Sequence, residues 1–166
     1  MAMESVMLIK KNNQGFLLVE VIIGTSIIAI IIVAVMLAFS SGLRLSSRNS
    51  LATRAELLAE EGVEITRLIR DNGWSRSFGS WPDGTAYRLV FSGGTWATTT
   101  ANSFIDGTFD RTVVATNVYR DGDDDIASSG TLDPDTKKIT ANVSWRNGEA
   151  TTTVSLQTYL TNLFDD

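Results

Sequence analysis

At 166 residues with 43% hydrophobic content, the chain has room for one membrane-spanning element and one modest globular domain, and is too short for a large multidomain enzyme. It holds no cysteine and no histidine, which excludes disulfides, thiolate metal sites, imidazole catalysis and histidine-bound zinc. A net charge of −5 argues against a nucleic-acid partner, because phosphate binding needs clustered Lys and Arg.

The first element is an apolar run over residues 16–39, in which Glu20, Thr25 and Ser26 are the only polar side chains. As a helix rising 1.5 Å per residue it spans about 36 Å, enough for a hydrocarbon core of about 30 Å. Lys10 and Lys11 lie before it and the next basic residue is Arg44, so the positive-inside rule puts the N-terminus in the cytoplasm and the remainder of the chain outside. A secretory signal has a shorter apolar core of about 7–15 residues and a small-residue exit, and a plain anchor gives no reason for Glu20. A carboxylate within bilayer-length apolar sequence costs a few kcal/mol unless neutralised, which marks Glu20 as a functional residue.

Helical sequence continues. Leu51, Ala55, Leu58, Gly62, Ile65 and Ile69 recur at alternating spacings of four and three, the stripe of an amphipathic helix that needs a sheet to cover it. Charges take the other faces, with Glu64 three before Arg67 and Arg67 four before Asp71. Asp71-Asn72-Gly73 supplies the stop. Residues 16–71 therefore read as one near-continuous helix of about 85 Å, weakest at Gly42 and at the serines of 46–50.

After Gly73 the composition turns to Gly, Ser, Thr, Trp and alternating apolar residues, the pattern of antiparallel strands. Tyr87, Leu89 and Phe91 alternate with Arg88 and Val90, and a second strand runs over residues 112–119. Next comes the acidic stretch 121–126. Asp121, Asp123 and Asp125 alternate as in the start of a calcium loop, with Asp133 the next candidate oxygen donor. Ile126 stands where that loop requires Gly, and Leu132 where it requires the bidentate acid, an incomplete match that disfavours an EF-hand and leaves an irregular calcium site or a solvated acidic turn. Ile139, Ala141, Val143 and Trp145 then alternate with polar residues up to Asn147-Gly148, a preferred type I′ pair. That turn sets Trp145 opposite Ala150, Val143 opposite Thr152 and Ala141 opposite Val154. Trp145 faces the core, while Trp74, Trp81 and Trp96 are open to core or ligand-stacking roles.

Gly15-Phe16-Leu17-Leu18-Val19-Glu20, after a short basic leader and before an apolar helix, resembles the processing site of type IV prepilins and the related pseudopilins. The resemblance implies cleavage between Gly15 and Phe16 by a prepilin peptidase, methylation of Phe16, and retention of Glu20 as the fifth mature residue for assembly. Residues 59–64 with Arg67, Arg70, Asp71, Gly73 and Trp74 are similar to minor subunits described as pilus modification proteins. Many major pilins carry a proline in the apolar helix and a C-terminal disulfide, and neither is present here.

The expected organisation is a cleaved leader (1–15), a transmembrane and filament-core helix (16–39), an amphipathic helix (40–72) and a β-rich head (73–166), an α+β pilin-like fold. The function read from it is that of a non-enzymatic minor pilin, since without His or Cys any catalysis would rest on carboxylates lacking acid/base asymmetry. The resemblance implies other pilin subunits, the prepilin peptidase, an inner-membrane platform and its ATPase as partners, and a cell-surface or extracellular filament as destination. The alternatives are a pseudopilin of a type II secretion or DNA-uptake system, and an uncleaved single-pass anchor bearing a binding or adhesion module.

Overall fold

The structure, a computed structural model, describes residues 14–163 except Gly79, with the side chains of 14–16 outside the description. The leader residues 1–13 lie outside the described residues. Helix α1 covers Gln14–Asp71 without interruption at Gly42 or the 46–50 serines. Strands follow in the order β1 (Ala86–Ser92), β2 (Thr95–Thr99), β3 (Phe104–Ile105), β4 (Phe109–Arg120), β5 (Ile126–Ala127), β6 (Thr131–Asn147) and β7 (Ala150–Thr161). The chain divides into two units, Met1–Ser47 and Arg48–Asp166.

Among the described residues the first unit is helix alone. From Leu17 on, its large apolar side chains are exposed, with Leu18 at 64%, Ile30 at 69% and Met36 at 67%. Its hydroxyls turn back onto the helix: Thr25 Oγ1 donates to the carbonyl of Val21 at 2.8 Å, Ser26 Oγ to Ile22 at 2.6 Å and Ser40 Oγ to Leu37 at 3.0 Å. This is how Ser and Thr satisfy themselves inside a helix, and it leaves the surface apolar.

In the second unit, residues 48–71 of α1 lie on an antiparallel sheet of order β2-β1-β4-β6-β7, with β3 and β5 added to β4. Of the expected stripe, Ala55, Gly62 and Ile65 are buried while Leu51, Leu58 and Ile69 are half-buried, and Ala59, Val63 and Thr66, outside that stripe, complete the buried face. Thr66 Oγ1 donates to the Gly62 carbonyl at 2.6 Å, so its burial leaves no open donor. Two apolar clusters result. Ala55 and Ala59 meet Phe109, Val143 and Trp145, while Val63 and Ile65 meet Trp74, Phe78, Leu89, Val113, Ala115, Ile139, Ala141 and Leu160. The helix stops where expected, with the Gly73 N–H donating to the Arg70 carbonyl at 3.0 Å and Gly73 at φ 128°, which glycine adopts without a Cβ penalty.

The hairpin differs from the expected register by two residues. Asn147 pairs with Ala150, Trp145 with Thr152, Val143 with Val154 and Ala141 with Leu156. The turn residues are thus Gly148 and Glu149, and of these only Gly148 has positive φ, at 69°. That sign pattern belongs to type II′, which asks for one left-handed residue and finds glycine there, whereas type I′ would have forced Asn147 out of the ladder. An even shift preserves the faces, so Trp145 still points inward. The pairing of β4 with β6 jumps from Asn117↔Lys137 to Val118↔Asp133, leaving residues 134–136 without partners on β4. Pro134, which has no N–H for a ladder, sits in this irregularity. β7 ends the sheet order, and its twelve residues include no charge and no proline.

Candidate functional site

Gly15 and Phe16 fall within α1 by backbone, and their side chains lie outside the described residues. Glu20 is exposed on the first unit. The most apolar 18-residue window of this helix has a mean hydropathy of 3.0 with none of it buried, so it is long and apolar enough to cross a membrane. Thr25 and Ser26, the other polar residues of the run, are bonded to carbonyls of their own helix. A carboxylate only accepts hydrogen bonds, and the helix carbonyls around it only accept as well. Glu20 is thus the polar group whose needs its own helix cannot meet.

No protein-family model, curated protein or solved structure matches this chain.

The acidic residues of the head do not share a centre. Asp121 Oδ1 accepts the N–H groups of Asp123 and Asp125 at 3.0 Å each, closing the turn on itself. Asp133 lies across the loop and takes Arg120 Nε on Oδ2 at 2.7 Å. Among the described residues no three acidic side chains are grouped to hold a metal. Burial acts to raise the Asp133 pKa, and hydrogen bonds from Arg120, Thr136 and the Asp135 backbone outweigh it, holding the carboxyl below the usual carboxylate range. The Arg120 guanidinium is correspondingly raised, first by its hydrogen bond to Asp133.

The tryptophans serve the core. Trp74 and Trp145 are 5% and 4% exposed, and Trp81 and Trp96 pack partly buried against the cluster of Phe78 and Leu89. Trp74, Phe78, Trp81 and Tyr87 form a chain of aromatic contacts with centroids 4.5–5.5 Å apart. This arrangement gives the four indoles packing roles and leaves none fully open for ligand stacking.

Sequence reasoning missed Arg111. It occupies an inward position of β4, its side chain 4% exposed, and reaches α1 with Nη1 donating to the Leu58 carbonyl at 3.2 Å and to Glu61 Oε2 at 2.9 Å. Its guanidinium lies 6.0 Å from the Trp96 ring centroid. Gly62 gives it room: a Cβ built there falls 3.2 Å from Arg111 Cδ and 3.4 Å from Ala141 Cβ. The signal was present in the alternation Phe109, Arg111, Val113, Ala115, where a charge stands on the apolar face opposite the one glycine of the helix stripe.

Proposed function

We propose that the chain is a structural subunit of a type IV pilus-like filament, of the minor pilin kind, matured by prepilin peptidase cleavage between Gly15 and Phe16 and methylated on Phe16. The observation that carries this reading is Glu20: five residues past Gly15, it is the single charge on an exposed helical surface otherwise fit for lipid. Cleavage would create a cationic amine on Phe16. In a stack of helices that amine can approach the Glu20 of a neighbouring subunit, and a carboxylate in an apolar setting is tolerable only when paired. The pair sets the axial register of an incoming subunit, as one buried polar residue does in a coiled coil. The subunit waits in the cytoplasmic membrane with its head outside, and platform and ATPase machinery draws it into the filament. Absence of proline from the apolar helix and of cysteine from the head favours a minor subunit over the main shaft protein.

Coexpression with a prepilin peptidase, followed by mass spectrometry of the mature N-terminus in wild type and Gly15→Ala, tests the reading. The expected product begins with N-methylated Phe16 and is lost in the variant. An intact leader in the wild type refutes it and leaves an anchored β-rich binding module.

A further inference from the structure

From the end of β4 into the first residues of β6 the chain makes an excursion bearing six aspartates, at 121, 123, 124, 125, 133 and 135, and one guanidinium stands among them. Arg120 begins the excursion. Its Nε lies 2.7 Å from Asp133 Oδ2 and 3.7 Å from Asp124 Oδ1, and its Nη1 donates to the Asp124 carbonyl at 2.8 Å. The fork therefore bridges the near and far arms. Backbone geometry draws the arms to the same point: Arg120 pairs with both Ile126 and Thr131, and at Gly130, φ 145°, a Cβ would fall 2.1 Å from the Arg120 carbonyl oxygen. Other acceptors are engaged locally: Asp121 Oδ1 takes two amides, Asp133 Oδ1 takes the Asp135 N–H at 3.0 Å, and Asp135 accepts the Asn162 N–H on its backbone carbonyl at 2.8 Å and the Asn162 side-chain amide on Oδ1 at 3.3 Å. Lys137, the nearest other cation in sequence, is turned to Asn117 Oδ1.

A hard dication such as calcium needs six to eight oxygens converging on one centre. Here the oxygens that face one another across the loop converge on Arg120, whose delocalised and weakly hydrated charge suits a partly buried carboxylate better than an ammonium would. We infer that Arg120 is the built-in counter-ion of this acidic excursion, closing residues 121–135 on themselves and making that closure independent of divalent cations. The inference is independent of the filament reading, since it concerns the head alone.

The test uses the full chain in detergent micelles, unfolded thermally under tryptophan fluorescence in calcium chloride and in EGTA, with calorimetric titration of calcium. The wild type should give the same midpoint in both, within about 1 °C, and no binding heat. Arg120→Met should lower the midpoint in EGTA by about 2–5 °C and regain at least half of that in calcium. Arg120→Lys should keep the indifference to calcium. Asp133→Asn should cost about as much as Arg120→Met, and the double variant no more than either, as expected for one shared interaction. Calcium stabilisation of the wild type, additive losses, or an Arg120→Met deficit that calcium leaves untouched would each overturn the assignment. If Arg120→Met fails to fold, the wild-type titration and the Asp133→Asn midpoints still decide.

Discussion

Gly62→Ala offers a sharp test of how α1 is held on the sheet. In a helix interior the substitution ordinarily stabilises by about 1 kcal/mol, because glycine carries excess backbone entropy. Here the new methyl would stand 3.2 Å from Arg111 Cδ, closer than ordinary van der Waals contact, and 3.4 Å from Ala141 Cβ. Arg111 cannot retreat freely, since its Nη1 is bonded to the Leu58 carbonyl and to Glu61. Giving way would lengthen two bonds of a buried guanidinium, each worth about 1.5–3 kcal/mol when intact. The bond to Glu61 is discounted because that carboxylate's side chain is 48% exposed. The balance is a net loss of about 1–2 kcal/mol, a fall of a few degrees in the midpoint of a domain this size. Thermal unfolding of the full chain in micelles measures it through tryptophan fluorescence, since all four indoles lie in the second unit. In an Arg111→Ala background the obstruction is gone and Gly62→Ala should become stabilising by about 1 kcal/mol. A stabilising Gly62→Ala in the wild type would refute the claim that Arg111 is pinned.

Other perturbations follow from the same geometry. Glu20→Leu removes the one charge of the apolar surface, so membrane retention should be unchanged or stronger while filament incorporation, scored by shear release and immunoblotting, is lost. The Asp133 carboxyl is held low, so the stability it contributes is fully present above its unfolded value near about pH 4 and is lost as pH falls through its lower folded value. Denaturation midpoints followed from pH 6 to pH 2 should fall less steeply in Asp133→Asn. Gly130→Ala meets both a forbidden φ and a 2.1 Å contact with backbone, and should cost about 3 kcal/mol or more by urea unfolding.

Periodicity made the helix stripe and the inward face of the hairpin legible, because burial obeys spacings of 3.6 and 2 whatever the rest of the chain does. Register was less accessible. Asn147-Gly148 and Gly148-Glu149 both satisfy turn chemistry, and the choice rests on whether Asn147 keeps its ladder partner. Short strands such as β3 and β5 carry too few residues to show alternation at all. Arg111 and Arg120 escaped notice because their partners, Leu58, Glu61 and Asp133, are set by tertiary contact and not by sequence spacing. The acidic loop reads as a metal loop from its aspartates alone, and the guanidinium that binds Asp133 stands just outside the run. In the apolar helix the opposite holds, since the meaning of Glu20 comes from its place after Gly15.

The uncharged edge of the sheet bears on how this protein behaves in the hands of anyone purifying it. β7 is paired with β6 on one side and on the other offers an edge twelve residues long, with the outward N–H and C=O groups of alternate residues unpaired and without a lysine, a proline or a bulge, the devices by which soluble proteins discourage strands of other molecules from adding on. Concentrated preparations should therefore lose material to aggregates rich in intermolecular sheet while the individual heads are still folded. A single lysine at exposed Thr153 should raise the soluble yield and leave the unfolding midpoint where it was.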